Sequence, residues 1–528
     1  PLQHEGEVEA LMEARTEWRS RQGRPVARQN RVNLRARLRL FLAADWRAQV
    51  RKEAARGSDR EAGPQGGKPG SASTRSTGTP CARRSLPGAW IVPMGLGRSL
   101  FLYLLLWMTA VAWSGAEARE GIARHVLPNG LTLIVQEDHT RDLAGVSLCV
   151  NGGSRTETVE LSGLSHYYEH LIFRGGSALQ EPTRFRRRIQ QLGEESGGYT
   201  SDDFTNYGFT VARDDFPEAF RLATDAWLDL IPSAEMIAIE KPVVLEEYNQ
   251  SDDSPGDQVY YQLLRLVYQV SPYRVSPLGL RSSIEAADLQ TFRTFYQERY
   301  VPNQMVLSLC GDLDADSVLA LVRRTWGARP PGRSSFELGL VEPEQESFRF
   351  AERAMKTATT RVLLGFPVPA AASAESPVVD LLAAMLGNGK SSRLWKALKI
   401  ESDAVLSAYA WHDPRLAGGM LVVGFECGNT RVPEALDRLA RELTRLATEP
   451  PSVDEMSRFR EILLAGHARS GETVFDRAEA LGRAEIMGTA YDLDRYPGLL
   501  RSVTRTDLAA AARRFLTPAR ASLSIVRP

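Results

Sequence analysis

From about residue 120 onward, short apolar runs of strand composition alternate with longer stretches whose apolar residues recur at helical spacing. Leu131-Thr-Leu-Ile-Val135 and Val146-Ser-Leu-Cys-Val150 read as strands, and Pro128-Asn129-Gly130 ahead of the first is a turn signal. Leu164 to Phe173, Phe185 to Leu192, Phe216 to Leu230 and Leu289 to Tyr300 read as helices; Phe204 to Val211 and Gln304 to Cys310 read as strands. A second series follows in related order. Thr360 to Phe366, Leu421 to Glu426 and Ala521 to Val526 read as strands. Ser376 to Leu386, Val432 to Ala447 and Val453 to Ala468 read as helices, and another helix begins at Arg393 to Leu398. Between the series lies ARPPGRSSFELGLVEPEQE, residues 328–346, whose Pro, Gly, Ser and Glu content marks a linker. The order predicts an α+β fold of two homologous domains, each a mostly antiparallel sheet with helices packed on one face. The boundaries are 119–328 for the first domain, 329–345 for the linker and 346–528 for the second.

The pattern before residue 119 is different. Residues 1–93 are rich in Arg, Gly and Ser with poor periodicity, and read as a non-native or disordered extension. Residues 94–118 have the layout of a signal peptide: Arg98, the apolar run Ser99 to Trp113, then Ala116-Glu117-Ala118 as a small-x-small cleavage site. The apolar run is short for a membrane span of roughly 20 residues. The sequence therefore predicts cleavage before Arg119, export to a bacterial periplasm and no stable membrane anchor. The competing reading of this run is an uncleaved anchor.

Charge changes the picture only once it is divided. The chain balances 65 basic against 65 acidic residues, but residues 1–118 hold 19 Lys/Arg and 10 Asp/Glu, leaving the rest at net −9. A mildly acidic body argues against nucleic acid as a partner. Cys81, Cys149, Cys310 and Cys427 are widely spaced, sit mostly in apolar runs and form no CxxC, so they read as buried single cysteines.

The chemistry concentrates in Ser165-His166-Tyr167-Tyr168-Glu169-His170-Leu171. On a helix, positions i and i+4 share a face, so both imidazoles can reach one Zn²⁺ ion at about 2.0–2.1 Å. Glu169 projects to the same side and can take a proton from a water whose pKa the metal lowers to about 7. Two histidines leave the set incomplete, because a catalytic zinc takes three protein ligands and keeps one position open. His125, His139, His412 and His467 have no comparable spacing.

HxxEH is the inverted zincin motif. With its flanks Gly163-Leu-Ser and Leu171-Ile-Phe-Arg-Gly175, it resembles the pitrilysin/insulinase family of zinc peptidases, and in particular the bacterial two-domain subunits akin to mitochondrial processing peptidase. Leu127-Pro-Asn-Gly-Leu131, Tyr199 to Tyr207, Phe295 to Asn303 with Gly311-Asp312, and Gly387 to Leu394 extend the resemblance through most of 124–526. It implies that family's metallohydrolase fold, one Zn²⁺ per chain and zinc-dependent endopeptidase activity on peptides or unfolded segments, with Glu169 as general base. It also implies a third ligand from a downstream helix, seven residues after an acidic residue. Glu240-Lys-Pro-Val-Val-Leu-Glu246-Glu247 matches, which selects Glu247. Glu246 points about 100° away. Glu240 shares Glu247's face and joins the catalytic set as a carboxylate supporting a ligand. Pro242 lies inside this segment and disfavours a regular helix.

Substrate is expected to add as a strand along Gly197, Gly198, Tyr199 and Thr200. The family usually has Asn-Ala where this chain has Gly197-Gly198. Active single-chain members also carry an Arg and a Tyr seven residues apart in a later domain, where this chain has Lys399 and Leu406. Leu cannot donate a hydrogen bond to an oxyanion. The resemblance therefore implies a homologous partner subunit that supplies the Arg and Tyr; the alternative is a homodimer with weak oxyanion support. The alternative function is a non-catalytic peptide-binding or scaffold subunit of the same fold.

Overall fold

Strands form where apolar runs are short and bounded by turn residues, and several of them are buried along nearly their whole length. A computed structural model describes residues 121–528 apart from 175–176, 178–183, 231, 334–335, 337, 489 and 491. The predicted extension (1–93), the predicted signal peptide (94–118) and Cys81 lie outside the described residues. The described residues belong to one unit. Its first sheet comprises β1 (Ile122–Val126), β2 (Thr132–Glu137), β3 (Leu143–Asn151), β4 (Gly193–Thr200), β5 (Phe204–Ala212) and β6 (Met305–Gly311) in the order β1-β2-β6-β3-β5-β4. β3 and β6 sit in the middle and read as continuous apolar runs because both faces are covered. The helices of this part are α1 (Leu164–Arg174), α2 (Arg184–Leu192), α3 (Phe216–Leu228), α4 (Ala234–Asp253), α5 (Pro255–Val267), α6 (Arg281–Ala286), α7 (Leu289–Arg299) and α8 (Ala315–Thr325).

The second sheet comprises β7 (Arg349–Ala354), β8 (Thr360–Pro367), β9 (Ser407–Asp413), β10 (Met420–Cys427) and β11 (Ser522–Arg527) in the order β7-β11-β8-β10-β9. It repeats five of the six strands of the first sheet. In chain order, β2, β3, β4, β5 and β6 correspond to β7 through β11, with the same neighbours. Both sheets are antiparallel except for one pair, β2 with β6 and β7 with β11. The internal repeat inferred from element order is thus a repeat of topology, and both sheets are mixed. The later helices are α9 (Ser376–Gly387), α10 (Val432–Thr448), α11 (Val453–Arg469), α12 (Val474–Met487), α13 (Asp492–Ser502) and α14 (Arg505–Phe515), with a short π-helical stretch at Trp395–Ile400. No helix among the described residues is long and apolar enough to cross a membrane.

Each half lends one helix to the other's sheet. α5 packs Val259, Leu263, Leu264 and Val267 against Leu363, Met420, Val422 and Val526 of the second sheet. α12 lies on the first sheet, opposite α1, with Val474 and Ala478 against Cys310 and Leu481 against Cys149 and Val306. Ion pairs Arg124–Glu485 and Arg477–Asp138 fasten α12 at its two ends. The linker is tied down as well: Glu342 accepts hydrogen bonds from the backbone N–H groups of Gln269, Val270 and Ser271 at 2.6, 3.0 and 3.0 Å. Cys149, Cys310 and Cys427 are buried and unbridged, as the sequence predicts.

The close approach of α12 requires glycine beneath it. A Cβ on Gly208 would lie 2.1 Å from the Phe475 ring and 2.7 Å from the Val146 carbonyl oxygen. Gly208→Ala is therefore expected to destabilise the fold by about 1–3 kcal/mol. Gly466 lies within α11, and a Cβ there meets nothing within 4 Å. Gly466→Ala should stabilise by about 0.5–1 kcal/mol. Urea unfolding of the two variants should show opposite signs.

Candidate metal centre

The HxxEH helix is aimed from three sides. At its start, Gly163 adopts φ +92°, a left-handed conformation suited to glycine. The buried Glu157 carboxylate accepts from Gly163 N and Ser165 N, both at 2.7 Å. These are free amides of the first turn, where an anion also meets the favourable end of the helix dipole. Along its buried face, Tyr167 packs edge-on against Phe292 and Tyr168 stacks on Tyr296, both residues of α7. Finally, the Tyr167 hydroxyl donates to the Ile237 carbonyl at 2.7 Å, tying α1 directly to α4.

α4 runs unbroken from Ala234 to Asp253 through Pro242. Proline removes only the amide that would have bonded residue 238, and Ser233 caps the helix start through Met236 N. Helical spacing is kept, so Glu240 and Glu247 share the face towards α1 while Glu246 is exposed. His166 Nε2 and His170 Nε2 each lie 3.5 Å from Glu247 Oε2, and the three ligand atoms fall within 4.8 Å of one another.

This donor set fits zinc. Ligand atoms about 2.1 Å from a tetrahedral centre stand about 3.4 Å apart. The 3.5 Å separations match that figure and are long for direct hydrogen bonds. Two imidazoles and one carboxylate also leave one position open, as catalytic zinc requires.

The imidazoles are supported unequally. His170 Nδ1 bonds Glu240 Oε1 at 2.9 Å, and because a carboxylate only accepts, the proton sits on Nδ1 and the Nε2 lone pair faces Glu247. Arg174, one turn further along α1, pairs with the other oxygen of Glu240. His166 Nδ1 is buried with no hydrogen-bond partner among the described residues. Burial, then the neighbouring charge of His170, pushes His166 down to about 4, which keeps it neutral and able to ligate near neutral pH. For His170, burial acts downward but is outweighed by the Glu240 hydrogen bond and the nearby carboxylates, so its pKa is raised. Burial pushes Glu240 up; the His170 hydrogen bond and the Arg174 charge more than reverse this and hold its carboxyl low.

Glu169 faces away from Glu240 and towards β4. Its Oε2 accepts from Thr200 Oγ1 at 2.8 Å. Burial raises its pKa, partly offset by that hydrogen bond. Among the described residues β4 is the terminal strand of the first sheet, with one edge unpaired. Its side chains alternate as a strand's must. Gly198 and Thr200 face α1, where a Cβ on Gly198 would lie 2.9 Å from the Phe173 ring and 2.9 Å from the Asn206 carbonyl oxygen. Tyr199 faces α12 and donates to Glu479 Oε1 at 2.6 Å, while Gly197 borders open space. Gly198→Ala is accordingly expected to cost about 1–3 kcal/mol of stability, and Gly197→Ala close to nothing. Thermal melts of the two proteins would show the difference.

Comparison with known proteins agrees with this geometry. A model described as insulinase (peptidase family M16) matches residues 132–278, the span holding α1 and α4. A model described as the peptidase M16 inactive domain matches residues 286–463, and the two together cover more than half of the chain. The chain belongs to the insulinase family of zinc proteases. An uncharacterized zinc protease from Mycobacterium leprae is 26% identical over 395 residues, covering 73% of this chain and 86% of that protein. The crystal structure of a protease from Helicobacter pylori superposes with a TM-score of 0.73 at 21% identity, covering 77% of this chain and 99% of that one. The periplasmic protease PqqL from Escherichia coli gives 0.66 at 16% identity, covering 78% of this chain but 48% of its own. Within this insulinase-family chain, α9 occupies the place of α1 in the second sheet and reads SPVVDLLAAMLG, with neither His nor Glu. Among the described residues, the candidate metal-binding set thus occurs in the first half of the repeat.

Sequence reasoning missed Glu157, Arg174 and the Tyr167 hydroxyl. None stands in a recognisable spacing with its partner: Glu157 caps from outside the helix, and the other two reach about seventy residues along the chain. Of the two positions that stand where the family's Arg and Tyr are expected, Lys399 is held by Asp403 at 2.5 Å and Leu406 is 55% exposed just before β9.

Proposed function

We propose that the chain is a zinc endopeptidase for peptides and unfolded protein segments, and the catalytic half of a heterodimer. The observation that carries this reading is the convergence of His166, His170 and Glu247 beside a separately held carboxylate, Glu169, at the end of an edge strand. His166, His170 and Glu247 would hold one Zn²⁺, which supplies Lewis acidity to a carbonyl and to a water. Glu169 takes the proton of the attacking water and returns it to the leaving amine. Thr200 fixes one carboxylate oxygen and leaves the other free for that transfer. Glu240 keeps a proton on His170 Nδ1, so that Nε2 stays a lone-pair donor. Substrate lies extended along the outer edge of β4 at Gly197, Gly198, Tyr199 and Thr200, bonded through its backbone. The two peptidase domains are residues 119–328 and 346–528, joined by 329–345.

The chain offers Leu406 where the family's oxyanion donor is expected, which supports a homologous partner that supplies an Arg and a Tyr. The match to 48% of a longer periplasmic protease fits a chain that is half of a working enclosure, and export with Arg119 as the first mature residue rests on the layout of residues 94–118. The test is hydrolysis of an unstructured, internally quenched peptide by the purified chain, with and without a homologous subunit lacking HxxEH. One zinc per chain, cleavage abolished by 1,10-phenanthroline and restored by zinc, and stimulation by the partner are expected. Full activity of the isolated chain would defeat the heterodimer. A zinc-loaded chain that cleaves nothing in either state would favour the scaffold reading.

A further inference from the structure

A second buried polar cluster lies where the β4–β5 turn meets the β9–β10 turn, the equivalent hairpins of the two sheets. Asp202 and Asp203 form the first turn, two and three residues after Thr200. Asp203 Oδ1 pairs with Arg155 Nε at 2.9 Å and accepts from the Tyr273 hydroxyl at 2.5 Å, and its Oδ2 accepts from Leu416 N at 3.2 Å. Asp202 Oδ2 pairs with Arg415 Nη1 at 3.0 Å, and its Oδ1 accepts from Ser154 Oγ at 3.2 Å. Arg415 Nη2 also holds Asp413 at 3.1 Å and the Tyr260 hydroxyl at 3.0 Å, and the guanidinium lies over the rings of Tyr268 and Tyr273. The Arg415 and Arg155 side chains are 3% and 5% exposed.

Buried ion pairs are seldom a source of net stability, because desolvation offsets their attraction. What this one does is fix position. The loop 152–155 is bonded to the β4–β5 turn through Gly152 N to Asp203 O, Ser154 N to Ser201 O and Arg155 N to Asp202 O, at 2.9, 3.3 and 2.8 Å. A Cβ on Gly153 would lie 2.2 Å from the Ser201 carbonyl oxygen, so the two segments move as one. This unit leads into the catalytic helix along two routes. Two residues before Asp202, Thr200 holds Glu169. Two residues after Arg155, Glu157 caps α1, which carries Glu169.

We propose that Arg415, from the half without a metal-binding set, is a positioning residue that orients Glu169 by clasping the Asp202–Asp203 turn beside Thr200. The proposal rests on the reading of Glu169 as general base and assigns the second half a part in it. The test is a double-mutant cycle on the zinc-loaded enzyme, with its partner subunit where activity requires one, using a quenched peptide. The clasp is removed by combining Arg415→Met with Asp202→Asn, which leaves the partly exposed Asp413 with the Tyr260 hydroxyl as its partner, and the hydroxyl by Thr200→Val. Zinc content should be unchanged and KM should stay within about twofold, while each alteration lowers kcat by about ten- to a hundredfold, the effect of a misplaced group. The combined protein should fall little further than the worse of the two, and Thr200→Ser should restore the loss. A lower melting temperature with unchanged kcat, or losses that multiply, would overturn the proposal. If the paired variant fails to fold, Asp202→Asn alone enters the same cycle with the same criteria. Glu169→Gln separates the two readings: if it is active, the base assignment fails; if it is inactive while the clasp variants are active, only the clasp fails.

Discussion

Glu169→Gln is expected to keep its zinc and to lose about 10³-fold in kcat. Gln has the shape of the carboxylate it replaces, and its amide oxygen still accepts from the Thr200 hydroxyl 2.8 Å away in the parent protein. The strand end and the helix therefore stay in register. What disappears is the ability to take a proton. The carboxyl is buried, which raises its pKa and brings its basicity closer to that of a general base working near neutral pH. An amide has no such basicity. Zinc should stay because Glu169 turns towards β4, whereas the converging ligand atoms are His166 Nε2, His170 Nε2 and a Glu247 oxygen. Metal analysis and steady-state kinetics on the same preparation decide the matter. Activity within tenfold of the parent would require another base, and loss of zinc would make Glu169 a ligand.

The parts of this site written in local spacing were legible in the sequence. His166, Glu169 and His170 lie within one helical turn of each other, so helix geometry alone brings them to one side. Thr200 was not legible in its role. Read as a substrate strand, 197–200 gives four equivalent candidates. The register with β5 sends Gly198 and Thr200 towards α1 and Tyr199 towards α12. β4 itself is hard to foresee, since Gly193 to Thr200 is poor in the β-branched and aromatic residues that mark strands. Pairing with β5 overrides its composition. Pro242 is the opposite case, a local warning overruled because the rest of α4 packs and caps well. The exchange of α5 and α12 between the sheets leaves no local trace at all. Each is an ordinary amphipathic helix, and which sheet it covers depends on paths fixed by Glu342 and by the ion pairs of α12. The two sheets share one topology although few residues recur between them, because strand order and buried alternation can be kept with many different apolar side chains.

Removing any one of His166, His170 or Glu247 is expected to empty the site at micromolar zinc, while Glu240→Ala weakens zinc binding by about 10–100-fold and Glu246→Ala leaves it unchanged. The contrast between the adjacent glutamates is the sharpest part. One residue along a helix is a rotation of about 100°. Glu247 lies 3.5 Å from both imidazole nitrogens, whereas Glu246 is exposed and accepts from Asn249 at 3.3 Å. Glu240 acts through His170, whose Nδ1 proton it holds; without it the imidazole can rotate or change tautomer, which weakens a ligand without deleting it. Stability gives an independent reading. A metal that binds only the folded chain stabilises it by about 4 kcal/mol at a thousandfold excess over Kd. The parent protein should therefore melt several degrees lower with a chelator. His170→Ala should melt near the chelated parent and not respond to chelation, and Glu246→Ala should respond as the parent does. Zinc retained by Glu247→Ala but lost by Glu246→Ala would mean that α4 is rotated by one residue from the geometry described, and that Glu240, seven residues before Glu247 on the same face, no longer backs His170.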